Sequence, residues 1–171
     1  MVVEQHWALA EPEAVMRHDA RLAPRLMRAR QTAHTTIAPA VSHVVTGGTG
    51  GLGLLTSRWL AQRGDARALA LASRSGVLAR GTAVEWKGLH ATSVVTLLQR
   101  CDTAEGAHVG RLVALVTGAA SVMGVWHAAG VLADGVLPGQ TAEGLARVYA
   151  PKAHGSWTLH RAFSRAVVRT H

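Results

Sequence analysis

The sequence has little with which to cross-link, chelate metal or span a membrane. Its 171 residues include one cysteine, Cys101, which excludes an internal disulfide framework and any multi-cysteine zinc site. No uninterrupted apolar run approaches the roughly 20 residues that cross a bilayer. Aromatic residues are only 4% of the chain, with a single tyrosine, Tyr149, and a single phenylalanine, Phe163. That scarcity, without any recognised nucleic-acid motif, argues against nucleic-acid binding even though the net charge is +8. Charged residues make up 16% against 49% hydrophobic, so disorder throughout is excluded and a real core is possible. The opening MVVEQHWALA lacks the basic region and continuous apolar core of a secretory signal. The cytoplasm is therefore the default compartment, with an organelle left open.

The basic excess gathers early, in Arg17, Arg21, Arg25, Arg28 and Arg30. Glu4, Glu11, Glu13 and Asp19 argue against an amphipathic transit peptide. Leu22 and Leu26 could share a helix face, but Pro24 between them works against a helix. Residues 1–40 read as a linker or docking arm ending in the polar TAHTTIAP, and residues 41–171 as the main domain.

From His43 the character changes. His43, Val44 and Val45 predict a strand, and Thr46-Gly47-Gly48-Thr49-Gly50-Gly51-Leu52-Gly53 follows. The next stretch predicts a helix with Leu52, Leu55, Trp59 and Leu60 on one apolar face and Gly64 at its C-cap. Strand, glycine loop and helix are the context a G-x-G-x-x-G match requires, here through Gly48, Gly50 and Gly53. Glycines permit the tight turn and let backbone N–H groups approach a pyrophosphate at the helix N-terminus.

A second strand, 68–72, ends in Ser73-Arg74-Ser75, where an NAD site would carry an acidic residue for the ribose hydroxyl. Arg74 suits a 2′-phosphate instead, since guanidinium matches phosphate in bidentate fashion. The expected cofactor is therefore NADPH, weighed against a merely solvated arginine. Residues 94–98 predict a third strand, and Asp102 with Glu105 a capping box for a helix that buries Val109, Leu112, Val113 and Val116. A fourth strand, 122–126, runs into His127-Ala128-Ala129-Gly130, whose small residues let a flat ring lie against backbone. His127 itself reads as a packed histidine. The alternation predicts an α/β fold, a Rossmann-like doubly wound parallel sheet with an N-terminal arm.

VTGGTGGLG, ASRSG, CD, HAAGVLADG and APKAHGSWTLH, in that order, resemble the ketoreductase domain of modular polyketide synthases. That family lies within the short-chain dehydrogenase/reductase superfamily and is related to the ketoreductase of animal fatty acid synthase. The match runs from His43 to Phe163, and EPEAVMRHDARLAPRLMRAR resembles the end of the structural half that precedes the reductase half. The resemblance implies reduction of a β-ketoacyl thioester, held on an acyl carrier protein among other synthase domains, with hydride from NADPH. It implies cofactor binding by Thr46, Gly48, Gly50, Gly51, Leu52, Gly53, Ser73, Arg74 and Ser75, with Asp102 beside the adenine. Ala128, Ala129 and Gly130 would lie by the nicotinamide ribose. Lys152 matches the catalytic lysine, and no metal is implied. Leu132-Ala133-Asp134 partly resembles the family's L-D-D signature, keeping its final aspartate.

The family's orienting serine and proton-donating tyrosine belong to a pattern beyond this lysine, and the chain reaches His171 without it. Tyr149 precedes Lys152 by three residues, one short of the superfamily's Y-x-x-x-K, and Pro151 intervenes, so it reads as a packing residue. Four strands are readable, against about six in a complete doubly wound sheet. The expectation is thus a C-terminally truncated domain with an exposed sheet edge. The alternative is a catalytically inactive NADP-binding fragment or structural partner of a synthase.

Overall fold

A computed structural model of the chain describes residues 15–17, 20–22, 41–64, 66–119 and 121–168. The chain divides into two units, Met1–Thr35 and Thr36–His171. In the first unit, β1 (Val15–Arg17) pairs antiparallel with β2 (Ala20–Leu22), Val15 lying opposite Leu22. Part of the segment read as a linker or docking arm is thus extended and paired. Leu26, Arg25, Arg28 and Arg30 fall outside the described residues, as do Glu4, Glu11, Glu13 and Asp19.

The second unit alternates strands and helices. Its order is β3 (Val41–Thr46), α1 (Gly51–Gln62), β4 (Ala68–Ser73), α2 (Ala83–His90), β5 (Val95–Arg100), α3 (Gly106–Ala119), β6 (Ser121–His127), α4 (Ala142–Tyr149) and α5 (Gly155–Val168). A π turn, Ala150–His154, joins α4 to α5. The sheet is parallel in the order β5-β4-β3-β6. Chain order therefore reverses direction between β3 and β6. That is the switch point where open α/β sheets place their ligands, outside the carboxyl ends of the strands.

Strand alternation divides the core in two. Val44, Ala70 and Ala72 face one way and pack with Cys101, Val109, Leu112 and Val116 of the α3 side and Leu159 and Phe163 of α5. Val45, Leu69 and Leu71 face the other way, against Leu54 and Leu60 of α1 and Leu89 of α2. Leu54, Leu71, Leu89 and Leu112 are fully enclosed, each contributing about 1.5–3 kcal/mol relative to exposure.

Two expectations are corrected, and one helix had not been expected. The buried face of α1 is Gly53, Leu54, Ser57 and Leu60, whereas Leu52, Leu55 and Trp59 are exposed. The cause is the loop: Gly53 packs on the Gly47 carbonyl, which fixes the rotation of the helix and turns Leu52 outward. Asp102 and Glu105 form no capping box. The Asp102 carboxylate accepts from Ala104 N–H at 3.0 Å, and α3 begins later, with Val109 N–H donating to the Glu105 carbonyl at 3.1 Å. Helix α2 was not anticipated; only Leu89 of it is buried, too weak a periodicity to read.

Among the described residues, β6 pairs only with β3, leaving an uncharged edge with Met123, Val125 and Trp126 exposed. Trp126 meets Trp59 edge-on, ring centroids 5.9 Å apart, and the Arg63 guanidinium lies 4.8 Å over Trp59. No helix among the described residues is long and apolar enough to cross a membrane.

Candidate functional site

The glycine loop is shaped by steric necessity. Gly47 has φ 67°, and a Cβ there would lie 2.5 Å from the Ala128 carbonyl oxygen. A Cβ on Gly53 would stand 2.2 Å from the Gly47 oxygen. These glycines pack the loop onto the β6 end and onto the start of α1. Gly51 is different, because a Cβ there would meet nothing within 4 Å; its bareness serves no contact inside the chain. Gly50 N–H donates to Gly47 at 3.0 Å and Leu54 N–H to Gly50 at 2.9 Å. The amides of Gly51, Leu52 and Gly53 thus form the first turn of α1, where no intrahelical acceptor exists and the helix dipole is positive.

Around this loop opens a cleft of about 430 Å³ at the carboxyl ends of the strands. It is lined by Gly47, Thr49 and Gly50 of the loop, Ser73 to Ser75 and Val77 to Ala79 after β4, Cys101 to Thr103 after β5, and Ala128 to Val131 after β6. The β4 wall is tied in place: Ala79 N–H donates to Thr49 at 3.0 Å, Gly76 N–H to the Ser73 hydroxyl at 3.0 Å, and Cys101 N–H to Ser73 at 2.8 Å. Arg74 is exposed on this wall and has no carboxylate partner among the described residues; an ion pair elsewhere joins Arg58 and Glu85. Arg100 Nε donates to the Arg74 carbonyl at 3.0 Å, fixing the backbone from which Arg74 projects.

Of the residues singled out from sequence, Gly50, Ser73, Arg74, Ser75, Asp102, Ala128, Ala129 and Gly130 border the cleft. Thr46 and Gly48 are buried beneath the loop, and Gly53 is buried under the first turn of α1. Gly51 and Leu52 are exposed at the helix start. Lys152 is exposed in the π turn beside the cleft's Pro151, its Cε 3.5 Å from where a Gly130 Cβ would stand. Thr49, the 77–79 segment, Thr103 and Val131 were missed. Thr49 and Val131 lie inside quoted motifs without having been assigned a role, the 77–79 segment and Thr103 carry no motif, and the position of all of them follows from how the loops after β3, β4, β5 and β6 fold back.

Burial pushes the Cys101 thiol pKa up, the Asp102 carboxylate adds to the rise, and the Arg111 guanidinium opposes it. A buried, neutral thiol of this kind is a packing group rather than a nucleophile. Among the described residues no group of three or more His, Cys, Asp or Glu side chains is arranged to hold a metal.

A family model described as "KR domain" matches residues 41–170. The chain is 38% identical over 128 residues to a naringenin synthase of Pestalotiopsis fici, an alignment covering 74% of this chain and 5% of that protein. It is 42% identical over 125 residues to the spectinabilin polyketide synthase system protein NorB of Streptomyces orinoci, covering 71% and 6%. Among solved structures it is similar to the ketoreductase from the first module of phoslactomycin biosynthesis in Streptomyces sp. HK803. There the TM-score is 0.67 and identity 32%, over 89% of this chain and 36% of the other. A structure of A-type ketoreductases from a modular polyketide synthase gives a TM-score of 0.69 at 30% identity, covering 90% and 33%. The chain thus spans about a third of these solved chains and about a twentieth of the two synthases.

Proposed function

The chain belongs to the KR-domain family, the polyketide-synthase ketoreductases of the short-chain dehydrogenase/reductase superfamily, and from that premise we propose that it provides the NADPH-binding side of a β-ketoacyl reductase. The family uses a nicotinamide cofactor; the choice of NADPH over NADH is our reading. What supports it is Arg74, an exposed cation on the β4 wall of the cleft with no carboxylate partner among the described residues, where an NAD site would carry an acid. The first-turn amides from Gly51 to Gly53 suit the pyrophosphate, and Arg74 suits the 2′-phosphate. Asp102 lies on the wall that would face the adenine. Ala128 to Gly130 leave room for a flat ring, and Lys152 stands beside them with three donors for ribose hydroxyls.

When bound, reduced nicotinamide supplies a hydride to the β-carbonyl carbon of the thioester, and a proton on the oxygen completes the β-hydroxyacyl product. The substrate would arrive on an acyl carrier protein, among the other domains of a synthase. A second reading, cofactor binding without turnover, is favoured by Tyr149. This sole tyrosine is 65% exposed, meets His154 edge-on at 6.1 Å and does not border the cleft, so the described residues bring no phenol to it. The test is NADPH consumption by the full chain with a β-ketoacyl thioester. Turnover that Lys152→Ala abolishes establishes the reductase and overturns the second reading; NADPH binding without turnover supports the cofactor-binding side that both readings share. Failure to bind NADPH overturns both.

A further inference from the structure

His127 ends β6 with both ring nitrogens engaged. Its Nδ1 lies 2.6 Å from the Thr46 hydroxyl and its Nε2 lies 2.7 Å from the Pro151 carbonyl oxygen. A carbonyl only accepts, so Nε2 carries the proton. In the neutral ring Nδ1 is then the acceptor, and the Thr46 hydroxyl donates to it. Thr46 is fully buried at the end of β3, immediately before the glycine turn, and its carbonyl accepts from Ala128 N–H at 3.0 Å. Pro151 is the buried residue of the π turn, directly before Lys152.

The helix reaches this ring because Gly155 has no side chain: a Cβ there would stand 2.5 Å from Thr103 Oγ1 and 3.5 Å from His127 Cε1. The turn itself is a weak point of the helical run. Proline offers no N–H, and π turns inside helices are uncommon and concentrate at functional sites. Packing of Leu159 and Phe163 and the close approach of Gly155 to Thr103 seat the start and body of α5, and within the turn the hydrogen bond from outside the helical run is the one between His127 and the Pro151 carbonyl.

We propose that His127 is a positioning residue, coupling the strand that carries the glycine loop to the turn that carries Lys152. Donation from Nε2 to the Pro151 carbonyl holds Lys152 beside Gly130, and the Thr46 hydroxyl fixes the tautomer that makes this donation possible. The inference rests on the reading of the cleft as a cofactor site, but its geometry can be tested separately.

Three variants of the full chain divide the ring's two roles. His127→Gln keeps a donor near the Nε2 position, His127→Asn keeps an acceptor near the Nδ1 position, and His127→Phe keeps only the ring. Two quantities are read for each: NADPH affinity by fluorescence titration, and amide exchange at residues 152–156. Phe and Asn are expected to lose about tenfold in affinity, the scale of one buried hydrogen bond, and to speed exchange in the turn. Gln is expected to recover most of both. Equal behaviour of Gln and Asn overturns the proposal, a comparison that still decides if the Phe variant fails to fold. If the parent chain binds no NADPH, the cofactor reading fails, and the exchange comparison alone decides whether the tether exists.

Discussion

Two apolar-rich regions of the second unit are built on opposite terms. At the carboxyl ends of β3, β4, β5 and β6, positions are fixed by backbone contact. Gly47 and Gly53 leave no room for a Cβ, and backbone bonds tie the loops to one another. On the outer side of α1 and the edge of β6, Leu52, Leu55, Trp59, Met123 and Trp126 lie exposed, held by little beyond ring contacts. Rigidity at the first region suits a site that must present amides and cations in fixed directions. The difference teaches that side-chain size is a poor guide to importance here, since the smallest residues carry the tightest geometry.

The comparison can be broken most severely at Gly53. Gly53→Ala drives a methyl into the Gly47 carbonyl and is expected to destabilise the fold by about 3 kcal/mol, the upper end of overpacking, as read by thermal or denaturant unfolding. At Arg74 the fold is left alone and the site is not. Arg74→Ala should weaken NADPH binding about 10- to 100-fold, the scale of a charge-assisted bond, while leaving NADH binding unchanged in parallel titrations. On the outer face the effects shrink. Trp59→Ser should cost about 1 kcal/mol through loss of its contacts with Trp126 and Arg63, and Leu52→Ser no more than about 0.5 kcal/mol in the same unfolding assay.

The smallest effect concerns Cys101. Its raised pKa means that the neutral thiol is favoured in the fold. The associated stability is present below the ordinary thiol range and is lost as pH rises through the raised value. Alkylation rates followed against pH should therefore rise only above the range of an ordinary exposed thiol, and bound NADPH should slow them, because Cys101 borders the cleft.

The sequence made the cleft legible for the same reason that the structure makes it rigid. Glycines at Gly47, Gly48 and Gly53 answer to backbone sterics, which leave a local signature, and the four parallel strands of the second unit follow from their β-branched and apolar runs. The outer face of α1 was misread because Leu52, Leu55 and Trp59 fall at helical spacing, whereas the face that is buried, Gly53, Leu54, Ser57 and Leu60, carries fewer apolar residues. Which stripe is buried depends on the rotation set by Gly53 against Gly47. The wall formed by Val77 to Ala79 was invisible since the bond that joins it to the glycine loop, from Ala79 to Thr49, links segments distant in sequence. Asp102 and Glu105 had the spacing of a capping box, but Asp102 turns its carboxylate to Ala104 and its own N–H donates to His108 Nδ1 at 3.2 Å. Spacing cannot choose between competing local hydrogen bonds of similar strength.

The most direct test of the central claim is a footprint: amide exchange of the full chain measured with and without NADPH. The account predicts slowed exchange at residues 49–53, 73–79, 101–103 and 128–131, with residues 55–62 and 121–126 unaffected. Protection confined to that outer face, or no protection at saturating NADPH, would contradict it.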